Sequence, residues 1–216
     1  PPGGELEVAG IRQPVRIGGA AFGPAFEAQW GIPRRPVDFF DVKGDVEAIL
    51  APLTARFVRG EHPALHPGRS ARIELDGTPI GWIGALHPEW LQRYELPGPV
   101  IVFELDAAPL MRVAVPQYDA ISKFPAVTRD LSIEVGDEVP AHALLEALAA
   151  SRPGLVQTVR LFDLYRGQNV AEGRKSLAFR VVMQDTARTL TDAEVDAAMA
   201  DLEQVLSTRF GAQRRG

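Results

Sequence analysis

The alternation of apolar and polar positions is clearest in the second half of the chain. Leu131, Ile133 and Val135 alternate with Ser132 and Glu134, which predicts a half-buried strand. Gly136-Asp137-Glu138 turns the chain, and Val139-Pro140 opens a helix with Leu144, Leu145 and Leu148 on its apolar face. Ser151-Arg152-Pro153-Gly154 stops that helix. Leu155 to Tyr165 predicts a long strand, Arg166-Gly167-Gln168-Asn169 a connection, and Arg174 to Gln184 another strand. Thr191 and Glu194 have capping-box spacing, and Val195, Met199, Leu202, Val205, Leu206 and Phe210 follow at helical spacing. Ala212 to Arg215 predicts a short last strand.

This order, β-α-β-β-α-β, is that of a ferredoxin-like unit, with two helices on one face of a four-stranded antiparallel sheet. Period-two alternation assigns side chains to the uncovered face. With Leu131, Ile133 and Val135 under the helices, Ser132 and Glu134 lie outside. With Leu177, Phe179 and Val181 inside, Ser176, Ala178, Arg180 and Val182 lie outside. Val159 and Leu161 belong to the core, exposing Arg160 and Phe162. Asp163 and Tyr165 then break the alternation, which predicts a bulge or strand end. The open face thus carries Arg160, Phe162, Arg180 and, from the last strand, Arg214. An aromatic ring with several arginines on an open sheet suits unstacked bases and phosphates. Packing against a neighbouring domain is the other reading, and alternation alone favours it.

The first half is patterned differently. Val15 to Gly23 is a glycine-rich apolar run that predicts a buried strand, and Gly31-Ile32-Pro33-Arg34-Arg35-Pro36 is a loop. Val37 to Asp41 reads as extended, and from Val42 the positions Val42, Val46, Ile49, Leu50 and Leu53 fit a helical face. Ala71 to Leu75 and Ile80 to Leu86 flank Asp76-Gly77-Thr78-Pro79, a hairpin signal. Val100 to Leu105 predicts a third strand. Together these segments predict an antiparallel sheet bearing at least one helix.

Composition narrows the chemistry. The 216 residues suggest one or two domains, and 46% hydrophobic with 24% charged residues is ordinary for a globular protein. With no cysteine, disulfides and cysteine-ligated metals are excluded. No run of about 18 apolar residues is present, so no membrane span is expected. The start, Pro1-Pro2-Gly3-Gly4-Glu5, lacks an initiator Met and a signal pattern, which suggests a segment of a longer protein. A net charge of −5 argues against a uniformly basic nucleic-acid binder. From Tyr118 to Leu190, however, acidic and basic residues balance, and the acidic surplus of this half lies in its final helix. His62, His66 and His87 lack metal-ligand spacing and read as loop residues. Gly77, Gly81 and Gly84 sit in and after a hairpin turn, the wrong context for a dinucleotide loop. Asp38, Asp41, Asp45 and Glu47 read as solvent-facing acids favouring a helix N-terminus. No pair of groups forms a credible nucleophile and base.

Seven colinear blocks carry a family resemblance. They are Asp38-Phe39-Phe40-Asp41-Val42-Lys43-Gly44-Asp45-Val46-Glu47, Leu65 to Ala71, Gly84-Ala85-Leu86-His87-Pro88, Ile121 to Leu131, Leu161-Phe162-Asp163-Leu164-Tyr165-Arg166-Gly167, Lys175-Ser176-Leu177-Ala178 and Gln184 to Thr191. In this order they resemble the C-terminal part of the phenylalanyl-tRNA synthetase β subunit. The resemblance implies an α+β architecture in two parts. Residues 1–117 would be the C-terminal part of an inactive, catalytic-like module with a partial class II synthetase fold. Residues 118–216 would be a ferredoxin-fold anticodon-binding domain. The stretch Ser122 to Leu131 would open it, with Pro125 stiffening the path between the modules. The family ordinarily has an apolar residue where Arg214 stands, which adds charge to the face or alters the packing of the last strand.

The resemblance implies partners and roles as well. The parent enzyme joins phenylalanine to its tRNA using ATP and Mg²⁺, in a cytoplasmic (αβ)₂ assembly whose catalytic α subunit holds the active site. On this segment no cofactor, catalytic residue, metal, membrane or DNA partner is expected. Phe162 or Tyr165 would stack on bases, and Arg129, Arg160, Arg174, Arg180 and Arg188 would contact phosphates or base edges. Arg129 and Arg188 have a second reading, as braces for Asp130 and Asp185. Three roles are carried forward: an RNA-binding module, a module that docks the catalytic subunit, and a regulatory domain for a small amino acid.

Overall fold

The computed structural model describes residues 6–111, 121–151 and 153–215. The chain forms two compact units, Pro1–Pro116 and Gln117–Gly216. The boundary expected at Gln117/Tyr118 lies outside the described residues.

In chain order, unit 1 contains β1 (Leu6–Val8), β2 (Ile11–Gln13), β3 (Arg16–Ala21), α1 (Phe39–Leu50), β4 (Arg56–Arg59), β5 (Leu65–Leu75), β6 (Thr78–Leu86), α2 (Pro88–Arg93) and β7 (Ile101–Asp106). β1 and β2 form a separate hairpin; the other strands form an antiparallel sheet in the order β3-β7-β6-β5-β4. The Asp76-Gly77 turn joins β5 to β6 with both residues at positive φ, 48° and 77°, and Leu75 pairs with Thr78. That geometry matches the twist of a two-residue hairpin. Val42, Val46 and Leu50 of α1 pack with Ile73, Ile83 and Leu105 of the sheet.

α1 begins three residues before the apolar periodicity predicts. The cause is local. The Asp38 carboxylate accepts the N–H groups of Phe40 and Asp41 at 2.8 and 3.1 Å, and the Asp41 carboxylate accepts the Asp38 N–H at 2.8 Å. This reciprocal cap satisfies donors that a helix start leaves unpaired and carries the turn upstream through Phe39 and Phe40. The acids around Asp38 thus organise a helix N-terminus, as the sequence suggests.

Unit 2 contains β8 (Val127–Gly136), α3 (Ala141–Ala150), β9 (Val156–Tyr165), β10 (Arg174–Met183), α4 (Asp192–Phe210) and β11 (Gln213–Arg214). Its sheet order is β11-β8-β10-β9, all antiparallel. This is the expected ferredoxin-like arrangement, and the whole chain is α+β. Leu131, Ile133 and Val135, with Leu177, Phe179 and Val181, form one core with Leu144 and Leu148 of α3 and Val195, Leu202 and Leu206 of α4. Phe179 is 0% exposed. Pro140 sits just ahead of α3, at its N-cap, and α4 ends where Gly211 takes φ 61°. Only a residue without Cβ adopts that left-handed turn at no steric cost.

The stretch before β8 is tied down at its far end. The Ser122 hydroxyl donates to the Asp185 carbonyl at 2.6 Å, and the Gln184 side-chain amide donates to the Phe124 carbonyl at 2.7 Å. The chain enters β8 already fastened to the loop that follows β10.

Candidate nucleic-acid interface

The face of the unit 2 sheet away from α3 and α4 is built from rows of paired residues, and three of them hold the candidate site. In one row, Arg160 of β9, Arg180 of β10 and Asp130 of β8 lie side by side. In the next, Asp163 pairs with Ala178 and Ala178 with Ser132. In the third, Tyr165 pairs with Ser176, Ser176 with Glu134, and Glu134 with Gln213. The register slips between the first two rows: Leu161 pairs with Phe179, Asp163 with Ala178, and Phe162 has no partner in the ladder. Phe162 is therefore an inserted residue, a β-bulge. The bulge reverses the parity of β9, so residues 160, 163 and 165 share a face that strict alternation would split. It falls one residue before the predicted break.

Charge on this face is organised in pairs. Arg180 Nε and Nη2 each donate to the Asp130 carboxylate at 2.9 Å. The hydrogen bonds from Arg180 hold the Asp130 carboxyl below its usual range, and Asp130 in turn raises the Arg180 guanidinium. The Arg180 guanidinium carbon also lies 4.7 Å from the Phe162 ring centroid, a cation–π contact. A second group repeats the arrangement more loosely. The Arg215 guanidinium carbon is 5.4 Å from the Tyr165 ring centroid, and its Nε is 3.9 Å from Glu134 Oε1. The Tyr165 hydroxyl donates to the Gln168 carbonyl at 3.3 Å. Phe162 and Tyr165 remain 50% and 41% exposed, so both rings are accessible on a face that also carries Arg160, Arg180 and Arg215.

Of the seven expected contact residues, four are brought together here: Arg160, Phe162, Tyr165 and Arg180. Arg129 and Arg188 lie elsewhere, Arg174 shares the open-face parity of Ser176 and Arg180, and all three are engaged within the protein. Arg129 pairs with Val181, which puts it on the helix side, where it donates to the Thr128 carbonyl and lies 3.7 Å from Asp192 at the start of α4. It does not brace Asp130, whose partner is Arg180. Arg174 donates to the carbonyls of Glu134 at 2.8 Å and Gly211 at 3.4 Å, fastening the end of α4 to β8. Its Nε is buried with no partner among the described residues. Arg188 grips the Glu194 carboxylate with its two terminal guanidinium nitrogens, while the Asp185 carboxylate accepts the Ala187 N–H. Glu194 also accepts the Thr191 N–H at 2.9 Å, and Arg188 first, then Thr191, lowers its carboxyl to about 2.

Arg214 is likewise not on the open face. It pairs with Ile133, on the helix side, and reaches Glu203 of α4 at 3.4 Å. Its neighbour Arg215 supplies the charge to the open face instead. Asp130 and Arg215 are the residues that sequence reasoning missed. Alternation from Leu131 already places Asp130 outside, but its pairing with Arg180 depends on a register between strands 50 residues apart.

Lys175 is buried at 5% exposure, and its ammonium donates to the Asp137 and Val139 carbonyls at 2.9 and 2.6 Å. Desolvation lowers its pKa. It secures the turn before α3 and takes no part in the open face. In unit 1, the three histidines each accept a backbone N–H two residues ahead: His62 from Ala64, His66 from Gly68 and His87 from Glu89 at the N-cap of α2. Among the described residues no group of three or more His, Cys, Asp or Glu is placed to hold a metal, and no helix is long and apolar enough to cross a membrane.

A four-stranded antiparallel sheet backed by two helices defines the ferredoxin-like class, and residues 122–215 match the family model described as ferredoxin-fold anticodon binding domain. Residues 5–107 match the model described as phenylalanyl tRNA synthetase beta chain CLM domain. Each matched segment thus belongs to the family of its model, the first half to the beta-chain CLM domains and the second to the ferredoxin-fold anticodon binding domains. The chain is 53% identical over 97% of its length to the phenylalanine–tRNA ligase beta subunit of Dechloromonas aromatica (strain RCB), covering 26% of that protein. It is 52% identical over 99% of its length to that of Burkholderia lata, and 49% identical over 98% to that of Ralstonia nicotianae, covering 27% of each. The chain thus spans about a quarter of the length of these relatives.

Proposed function

We propose that unit 2 binds the anticodon region of phenylalanine tRNA on its open sheet face, with Phe162 and Tyr165 stacking on unpaired bases and Arg160 and Arg180 contacting phosphates or base edges. The observation that carries this reading is the bulge at Phe162, which gathers two accessible rings and two arginines on one face. Anticodon loops offer unstacked bases, and aromatic and guanidinium planes are the groups that hold them. Arg129, Arg174 and Arg188 are left out because each is committed to contacts within unit 2. Titration of the chain with phenylalanine tRNA tests the reading. Binding that survives Phe162→Ala combined with Arg160→Ala unchanged would refute it.

The chain serves within a phenylalanine–tRNA ligase. Residues 1–117 form the end of a catalytic-like, inactive module, and residues 118–216 the anticodon-binding domain. Catalysis with ATP and Mg²⁺ belongs to a separate α subunit in a cytoplasmic (αβ)₂ assembly. A role for unit 1 in docking that subunit is supported by its exposed Phe22, Phe26, Trp30, Ile32 and Phe40, with Trp30 99% exposed. Of these, Phe22 and Phe40 line one pocket, and exposed apolar residues of this size favour contact with another protein. Failure to associate with the α subunit at micromolar concentration would count against it.

A further inference from the structure

We infer that Arg160 and Arg180 make different parts of the RNA contact, and that Asp130 sets the division by turning Arg180 into a base-stacking group while Arg160 takes a phosphate. This rests on the RNA-binding role proposed above. The two arginines are directly opposed in the β9–β10 register, so they share one spot on the open face. Their surroundings differ. Asp130 flanks Arg180 on the other side of β10 and engages its Nε and Nη2 edge at 2.9 Å twice over. Arg160 has no carboxylate partner among the described residues.

A cation contributes to phosphate binding through net charge and counterion release. Arg180 is already neutralised, and a phosphate approaching it would meet the Asp130 carboxylate in the same row. What Arg180 still offers is its guanidinium plane, fixed by the side-on pair and resting 4.7 Å from the Phe162 ring centroid, and an Nη1 group without a partner among the described residues. A planar cation on an aromatic ring is a platform for one unstacked base. Arg160, beside it and not neutralised, is placed for the phosphate of the same or an adjacent nucleotide. The ligand at this spot is a single flipped-out nucleotide, read as base plus backbone.

The salt dependence of phenylalanine-tRNA binding by the full chain separates the two roles. Arg160→Ala should reduce the slope of log K against log salt by about one. Arg180→Ala combined with Asp130→Asn, which removes the pair at constant net charge, should leave the slope unchanged and weaken binding by about 5- to 100-fold at every salt concentration, as loss of a stacking group does. Arg180→Lys, which keeps the charge and loses the plane, should behave like that double variant. Asp130→Asn alone should tighten binding at low salt and steepen the slope by about one, a gain that misfolding cannot imitate. A slope unchanged by Asp130→Asn, or flattened equally by Arg160→Ala and by the double variant, would overturn the division while leaving RNA binding intact. No binding by the wild-type chain would overturn the RNA-binding reading and this inference with it.

Discussion

Units 1 and 2 use the same means to start a helix and opposite means to finish a surface. Both α1 and α4 open on an acid three residues past the cap, held by an arginine six residues before that acid: Arg35 on Asp41 and Arg188 on Glu194. Arg35 makes both bonds at 2.6 Å. In unit 1 the residues left outside the core are large and apolar, Phe22, Phe26, Trp30 and Phe40. In unit 2 the free sheet face carries Arg180 and Arg215, each set against a carboxylate and a ring, with Arg160 beside Arg180. Apolar exposure is suited to shape-matched burial by protein. Cations and accessible rings suit a polyanion with splayed bases. Scaffold chemistry is shared, and the outward-facing residues make the functional difference.

The largest expected effect tests whether the two units have separate cores. All three tryptophans, Trp30, Trp82 and Trp90, lie in unit 1. Phe179→Ala empties the centre of the unit 2 core and should cost about 3–5 kcal/mol. Denaturant unfolding followed by far-UV circular dichroism should shift, and the tryptophan fluorescence transition should not. In the reverse direction, a Cβ at position 81 would lie 2.1 Å from the Glu104 carbonyl oxygen, because β6 and β7 approach closely there. Gly81→Ala should cost about 1–3 kcal/mol by overpacking and should move the fluorescence transition. Tryptophan signals that follow Phe179→Ala would break the comparison.

Phe162→Ala should weaken tRNA binding by about 1–3 kcal/mol, read by calorimetric titration, without altering the unfolding of either unit. Phe40→Ser, on the apolar surface of unit 1, should leave that titration unchanged.

The smallest effects concern the shared helix start. The Asp41 carboxyl is lowered to about 2, by Arg35 first and then by the Asp38 N–H, and Glu194 matches it. A carboxyl depressed in the folded state stabilises fully above the unfolded value of about 4, and that contribution fades as pH falls toward 2. Asp41→Asn should therefore flatten the acid limb of the tryptophan-detected unfolding, and Glu194→Gln that of unit 2. Both acids remain partly exposed, with 23% and 29% of their side-chain surface accessible, so the changes should be small and should shrink with added salt.

The elements of unit 2 were legible because short-range signals agree: alternation, a stop at Pro153-Gly154, and the Thr191–Glu194 spacing. The hairpin at Asp76-Gly77 was legible for the same reason. What escaped depends on pairing between distant strands. β4 is four residues long and has no strong pattern of its own; its pairing with β5 defines it. β8 begins at Val127, earlier than the alternation shows, because Val181 and Met183 of β10 pair that far down. Counting back from Leu131 by twos then puts Arg129 under α4, which the shorter strand concealed. The bulge at Phe162 was anticipated in kind, but its position is set by register with β10. Of the site, Phe162, Arg160 and Arg180 followed from alternation, whereas Tyr165 broke it, because the bulge reverses its parity. The Asp130–Arg180 pair did not, since a salt bridge across two strands is written in neither alone.

Chemical-shift mapping of the full chain against the anticodon stem-loop of phenylalanine tRNA tests the central claim most directly. The account predicts the largest backbone changes in residues 128–134, 158–165 and 176–182, on the three strands that carry the open face, and none in residues 6–111. Changes concentrated on α3 and α4, or on the apolar surface around Trp30 and Phe40, would contradict it.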